Sequence, residues 1–180
     1  MILSLVDRRS APGDDPTWKD GGELALGAAA LAARVGPSVW AVDLVLVDDA
    51  VMEQINRDYR GVAGVTDVLS FSYLLATGTG PPALAAGRDH AHCDLWLDAA
   101  EARVEGDGAP VVGEIVLAPA FVADRCRDKG WPAAVEFALL VVHGCLHILG
   151  WEHERTADSE AMRATEAGIL GQFDLPHPLR

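Results

Sequence analysis

Three histidines at the end of a long apolar run are the residues in this chain best placed to do chemistry. Residues 131–153 read WPAAVEFALLVVHGCLHILGWEH. Residues 133–142 are apolar apart from Glu136, and His143, His147 and His153 follow. His143 and His147 are four residues apart, which on a helix puts them on one face, one turn apart. Gly150 tolerates a positive φ, so the helix can end there and turn back. His153 can then return to the point that the other two face. Three neutral imidazoles around one divalent ion leave a fourth position open, the pattern of a catalytic rather than a structural site. The helix that carries them is too apolar for a surface position. It is expected to be the central helix of the core, with the histidines where the core opens.

The spacing resembles the extended zinc-protease motif H-E-x-x-H-x-x-G-x-x-H, with one difference. Gly144 stands where that motif has its general-base glutamate. A peptidase mechanism loses its base, while the metal cage survives. Cys145 is two positions from His143, on a different helix face, and is not counted as a ligand. His90, His92 and Cys93 lie close together, but no ligand pair with metal-binding spacing flanks them.

Other elements must position that motif. Residues 1–6 and 39–47 read as strands, the second mostly buried. Residues 23–35 read as a helix ended by Gly36-Pro37. Asp48 or Asp49 can cap a helix over 50–59. Residues 61–64 form a turn, and 66–73 and 113–117 are two more strands. A helix over 119–127 starts at Pro119, and a last helix over 158–170 starts at Asp158. The tail from 173 is expected to be extended or frayed. Residues 75–110, rich in Gly, Ala and Pro, read as a long loop or insertion. The expected fold is α/β (α+β): a small mixed four-stranded sheet packed around the central apolar helix, with the zincin-like metal motif at that helix's end. The expected organisation is a single domain over 1–180.

The composition narrows the setting. A chain of 180 residues, half of them apolar, can bury a full core without staples. No apolar run reaches the ~20 residues needed to cross a bilayer, and the first residues do not read as a signal peptide. Three widely spaced cysteines without a C-x-x-C fit reduced thiols and a cytoplasmic protein. The net charge of −13, with Lys19 and Lys129 the two lysines, works against polyanion binding in general. Any such binding needs a local arginine site.

Residues 56–71, NRDYRGVAGVTDVLSF, hold the second informative stretch. They read as a helix end, a glycine-flanked turn and a strand. Arg60 sits at the junction, and its planar fork of donors suits phosphate. Asn56, Tyr59-Arg60, Thr66-Asp67-Val68-Leu69-Ser70-Phe71, Gly113-Glu114-Ile115 and the histidine motif occur in this order. Together they resemble the YbeY family of bacterial endoribonucleases and rRNA maturation factors, over most of residues 39–153. The resemblance implies one zinc ion per chain on His143, His147 and His153. It implies single-stranded RNA as substrate, Arg60 as catalytic residue, and Arg60, Thr66 and Ser70 as substrate contacts. It also implies a role in rRNA maturation and ribosome assembly, with the small ribosomal subunit as a partner. DNA and membranes are not expected partners. The chain departs from the family where residues 62–65 are apolar rather than basic, where Glu152 replaces an aspartate, and where the 71–113 connection is long.

The implied chemistry is Lewis-acid hydrolysis of a phosphodiester, with Arg60 stabilising charge in the transition state. The general base is unassigned, and Glu152 is one candidate. Two other readings stay open. One is a non-catalytic RNA-binding ribosome-assembly protein with a structural metal. The other, less supported because of Gly144, is a metallopeptidase.

Overall fold

The computed structural model describes residues 1–10, 21–36, 38–74, 109–151, 153 and 156–177, with side chains of the first helix from 27 onward. The chain runs β1 (Ile2–Asp7), α1 (Gly21–Val35), β2 (Ala41–Leu46), α2 (Asp49–Arg60), β3 (Val68–Ser72), β4 (Val111–Leu117), α3 (Pro119–Lys129), α4 (Ala133–Ile148) and α5 (Thr156–Gly171). The strands form one sheet in the order β1-β2-β4-β3. β1, β2 and β4 are parallel, and β3 runs antiparallel at the edge beside β4. This is the mixed four-stranded α/β architecture expected from the sequence. The loop or insertion expected over 75–110 lies outside the described residues except for its last two.

Burial explains why α4 is central. Every residue of β2 is buried, as expected for a parallel strand covered on both faces. Val42, Leu44, Leu46, Ile115 and Leu117 share a cluster with Val141, Cys145 and Ile148 of α4. On the other face, Val45, Leu69 and Val116 pack with Met52 and Ile55 of α2. The far side of α4, through Leu139, Val142 and Leu146, packs on Met162, Ile169 and Leu170 of α5 and on Leu31 of α1. A helix wedged between a sheet and two helices must be apolar all round, which is what the sequence shows.

Helix ends depart from the sequence reading in detail. Asp48 occupies the α2 N-cap position, but its side chain makes no cap bond. It accepts the Ser10 N–H instead, at 2.8 Å. Asp158 lies in the first turn of α5, which starts two residues earlier at Thr156. The tail from 173, expected to be extended or frayed, folds back over 173–177. Asp174 takes φ 57°, a conformation that Asp tolerates. Phe173 and Leu175 then pack beside α4 and α5. Two apolar residues flanking one left-handed turn give the tail its own anchor.

Arg125 ties the start of β3 to α3 and α4. Its guanidinium pairs with Asp67 and with Glu136, a buried residue in the first turn of α4. Burial works to raise the Asp67 carboxyl, yet Arg125, the Val68 N–H and the Thr66 hydroxyl hold it below its usual range. Glu136, with Arg125 opposing, is pushed up by burial. Arg127 pairs with its sequence neighbour Asp124 at 2.6 Å on the surface, whereas Arg125 pairs across the fold. Removing one partner of a buried ion pair strands the others. Arg125→Ala is therefore expected to lose about 3 kcal/mol in urea unfolding, against under about 1 kcal/mol for Arg127→Ala. Equal losses would show that the Arg125 network carries no special weight.

Candidate metal centre

The end of α4 is built by its last turns and by the glycine after them. Within residues 141–148 only His143 and His147 escape full burial. Gly150, at φ 89°, donates its N–H to the His147 carbonyl at 2.9 Å, and Trp151 donates to Leu146 at 3.0 Å. This pair of bonds is a Schellman closure. It reverses the chain and carries His153 back toward the helix. The ligand-type nitrogens of His143, His147 and His153 all lie within 4.8 Å of one another. His143 Nε2 and His147 Nε2 are 3.1 Å apart, close to the roughly 3.3 Å between ligands of a tetrahedral ion with 2.0–2.1 Å bonds.

Protonation favours ligation. Burial, then the charges of His143 and His153, lower the His147 pKa to about 4, so its ring is neutral at pH 7. His143 Nδ1 lies 2.8 Å from Glu166 Oε1. A carboxylate only accepts, so the His143 proton is on Nδ1 and its Nε2 lone pair faces His147. Glu166 Oε2 takes a second bond from His177 Nε2 at 3.0 Å. Burial works to raise the Glu166 carboxyl, but the hydrogen bonds from His143 and His177 outweigh it and hold it below its usual range. Three imidazoles whose ring nitrogens converge, one of them backed by a carboxylate, are a donor set that fits a divalent cation.

Two neighbouring residues are excluded on physical grounds. The Cys145 thiol is fully buried in the core, and burial pushes its pKa up to about 12; it is a small apolar side chain here. Gly144 faces the sheet. A Cβ there would lie 2.9–3.0 Å from three side-chain carbons of Ile115, so the peptidase glutamate has no room at this position.

The other residues singled out in the sequence lie around β3. Arg60 is the exposed last residue of α2. The Gly61 N–H closes that helix, at φ 67°. The ring of Tyr59 meets Phe71 edge-on, centroids 4.8 Å apart, which seats the end of α2 over the last half of β3. On the opposite face of β3, the Ser72 hydroxyl donates to the Ile148 carbonyl at 2.8 Å and so seats the end of α4. The α2 and α4 ends thus share one end of one edge strand. Ser70, two residues before Ser72, is on the α4 face and half-buried. Thr66 donates its hydroxyl to Asp67 Oδ1 at 3.1 Å. The histidines are gathered at one point, while α2, which ends at Arg60, packs on the face of the sheet opposite to α4. Glu152, His90, His92 and Cys93 lie outside the described residues.

The endoribonuclease YbeY family profile matches residues 13–174 of the chain. The chain belongs to the YbeY family. Its relatives named endoribonuclease YbeY include that of Alkalilimnicola ehrlichii, 34% identical over 154 residues, covering 84% of this chain and 76% of that protein. That of Moorella thermoacetica is 35% identical over 147 residues, covering 82% and 81%. That of Desulfitobacterium hafniense is 34% identical over 134 residues, covering 74% and 72%.

Within this YbeY chain, Glu166 is the site residue that the sequence reading missed. A signal was there. Met162, Glu166, Ile169 and Leu170 stand at i, i+4, i+7 and i+8, so one glutamate sits on the apolar stripe of α5. His177 carried no comparable signal, because its position depends on the fold-back at Asp174.

The Gly144 contact can be tested directly. Gly144→Ala is expected to cost about 1–3 kcal/mol in unfolding free energy through overpacking, and less in an Ile115→Val background, where a methyl has been removed. The same cost in both backgrounds would mean that Ile115 does not set the limit.

Proposed function

We propose that this chain is a metal-dependent endoribonuclease acting on single-stranded RNA in rRNA maturation and ribosome assembly. It works as a single cytoplasmic metallo-hydrolase domain over 1–180, with rRNA precursors and the small ribosomal subunit as partners. The observation that carries the reading is the convergence of His143, His147 and His153 at the end of α4, in a chain of the YbeY family. Among the described residues, no helix is long and apolar enough to cross a membrane.

His143, His147 and His153 would hold one zinc ion, and a bound ion supplies Lewis-acid polarisation of a phosphodiester oxygen. Imidazole donors also suit copper, iron and nickel, so zinc is a preference of the donor set. Arg60 is the catalytic cation of this proposal. It binds a phosphate and balances the charge that develops there. Thr66 and Ser70 supply hydroxyls along the same edge of β3 for RNA contacts. A peptidase is disfavoured by the packing of Gly144 against Ile115.

Two measurements test this. Elemental analysis of the purified chain is expected to give about one zinc per chain, lost on His147→Ala, in line with a three-histidine site. Retention of full zinc by that variant would place the metal elsewhere. Cleavage of a defined single-stranded RNA, free of contaminating nuclease, is expected to require the metal and to fall about 100-fold in Arg60→Ala with metal content unchanged. Arg60→Lys is expected to recover only part, because a point charge lacks the bidentate fork. Wild-type cleavage by metal-loaded Arg60→Ala would remove Arg60 from the site. Tight RNA binding with no cleavage under any metal condition would favour the non-catalytic assembly protein.

A further inference from the structure

Glu166 is a buried acid on a packing surface. It is 3% exposed, on the stripe where Met162, Ile169 and Leu170 meet α4. A buried carboxylate is costly unless its oxygens are satisfied. Here each oxygen takes one imidazole: Oε1 from His143 Nδ1 at 2.8 Å and Oε2 from His177 Nε2 at 3.0 Å. Both rings must donate, so both protons are placed. For His143 this leaves Nε2 as the nitrogen turned toward His147 and His153. The His177 side chain is itself only 8% exposed. It reaches Glu166 because Asp174 turns the chain back and Leu175 donates its N–H to the Leu170 carbonyl at 3.1 Å.

We propose that Glu166 and His177 are positioning residues of the metal centre: Glu166 fixes the tautomer and ring orientation of His143, and His177 fixes Glu166. The inference rests on the reading of His143, His147 and His153 as ligands. It makes the segment after α5 part of the centre, although that segment ligates nothing. The physical reason is that an imidazole with a free ring torsion and either tautomer is a poor ligand. A carboxylate bonded to the far nitrogen selects one of each and raises the donor strength of the near nitrogen. A single bond from His143 would leave the Glu166 carboxylate able to rotate about its last torsion. The second bond, from a residue on a different segment, removes that freedom. α5 and the tail thereby act on a site built by α4.

The test uses the full chain and Zn²⁺ alone as probe. Zinc affinity is measured by chelator competition at one pH for the wild type, Glu166→Ala, Glu166→Gln and His177→Phe, with His147→Ala as the ligand control. Glu166→Ala is expected to bind zinc about 10–100-fold more weakly. Glu166→Gln keeps the shape and one acceptor oxygen but not the charge, and should fall between it and the wild type. His177→Phe should weaken zinc in the same direction, and its unfolding curve in chelator shows whether the variant is still folded at the temperature of the zinc assay, since the unpaired Glu166 oxygen costs some stability. Nitrogen-15 spectra of the wild type report the tautomer independently of any variant's folding. The expected result is a proton on His143 Nδ1, with Nε2 the nitrogen whose shift moves when zinc is added. Wild-type affinity in well-folded Glu166→Gln and His177→Phe would overturn the inference alone, and so would zinc on His143 Nδ1. A wild type that binds no zinc, or binds it as tightly after His147→Ala, would overturn the metal reading on which it rests.

Discussion

How closely α4 can lie against the sheet governs the rest of this structure. Two glycines allow the approach, one on each partner. A Cβ at Gly144 would press on Ile115, and a Cβ at Gly113 would lie 2.5 Å from the Phe71 carbonyl oxygen and 2.9 Å from Ile148. With both positions bare, α4 sinks into the space between the sheet, α1 and α5, and its length becomes core. The half-buried side chains in its last turns are then His143 and His147. The same contact that anchors the helix leaves position 144 no room for an acid. Packing and chemistry are therefore not independent here. A chain with this sheet contact has three convergent histidines and no room for a glutamate after the first of them.

Charge is distributed in a way that suits this arrangement. The net charge of −13 opposes diffuse attraction of RNA, so recognition has to come from a few placed groups. Arg9, Arg57, Arg125 and Arg127 each pair with a carboxylate, and Arg125 is committed to holding β3, α3 and α4 together. Arg60 is exposed at the end of α2. Val62, in the following turn, is also exposed, at 51%, where relatives of this chain were expected to be basic. Near the three histidines the charge is tuned by burial. His147 is neutral, Cys145 is an inert thiol, and the Glu166 carboxylate is charged behind His143.

Much of this was legible in the sequence, and the limits have physical causes. The apolar run before His143 announced a central helix because burial on all sides needs apolar residues on all sides. The i, i+4 histidines and Gly150 announced the convergence of His143, His147 and His153 because helix pitch and a left-handed turn fix where side chains go. The strands were found because buried parallel strands are continuously apolar, although their ends shifted by a few residues, as with β2 at Ala41–Leu46 against 39–47. What could not be read were contacts between segments far apart in sequence. Arg125 with Asp67 and Glu136, Ser72 with Ile148, and Glu166 with His177 have no local periodicity to reveal them. The fold-back over 173–177 was not read for the same reason: Phe173 and Leu175 pack on residues of α4 and α5 that lie before them in the chain.

We propose that the end of α4 and the returning loop form one three-imidazole metal centre, whose ligands X-ray absorption at the zinc K edge of the metal-loaded chain reads out. The predicted spectrum has three imidazole nitrogens and one further light atom at about 2.0–2.1 Å. A zinc–sulfur shell near about 2.3 Å, or fewer than three imidazoles, would mean that His143, His147 and His153 do not together hold the ion.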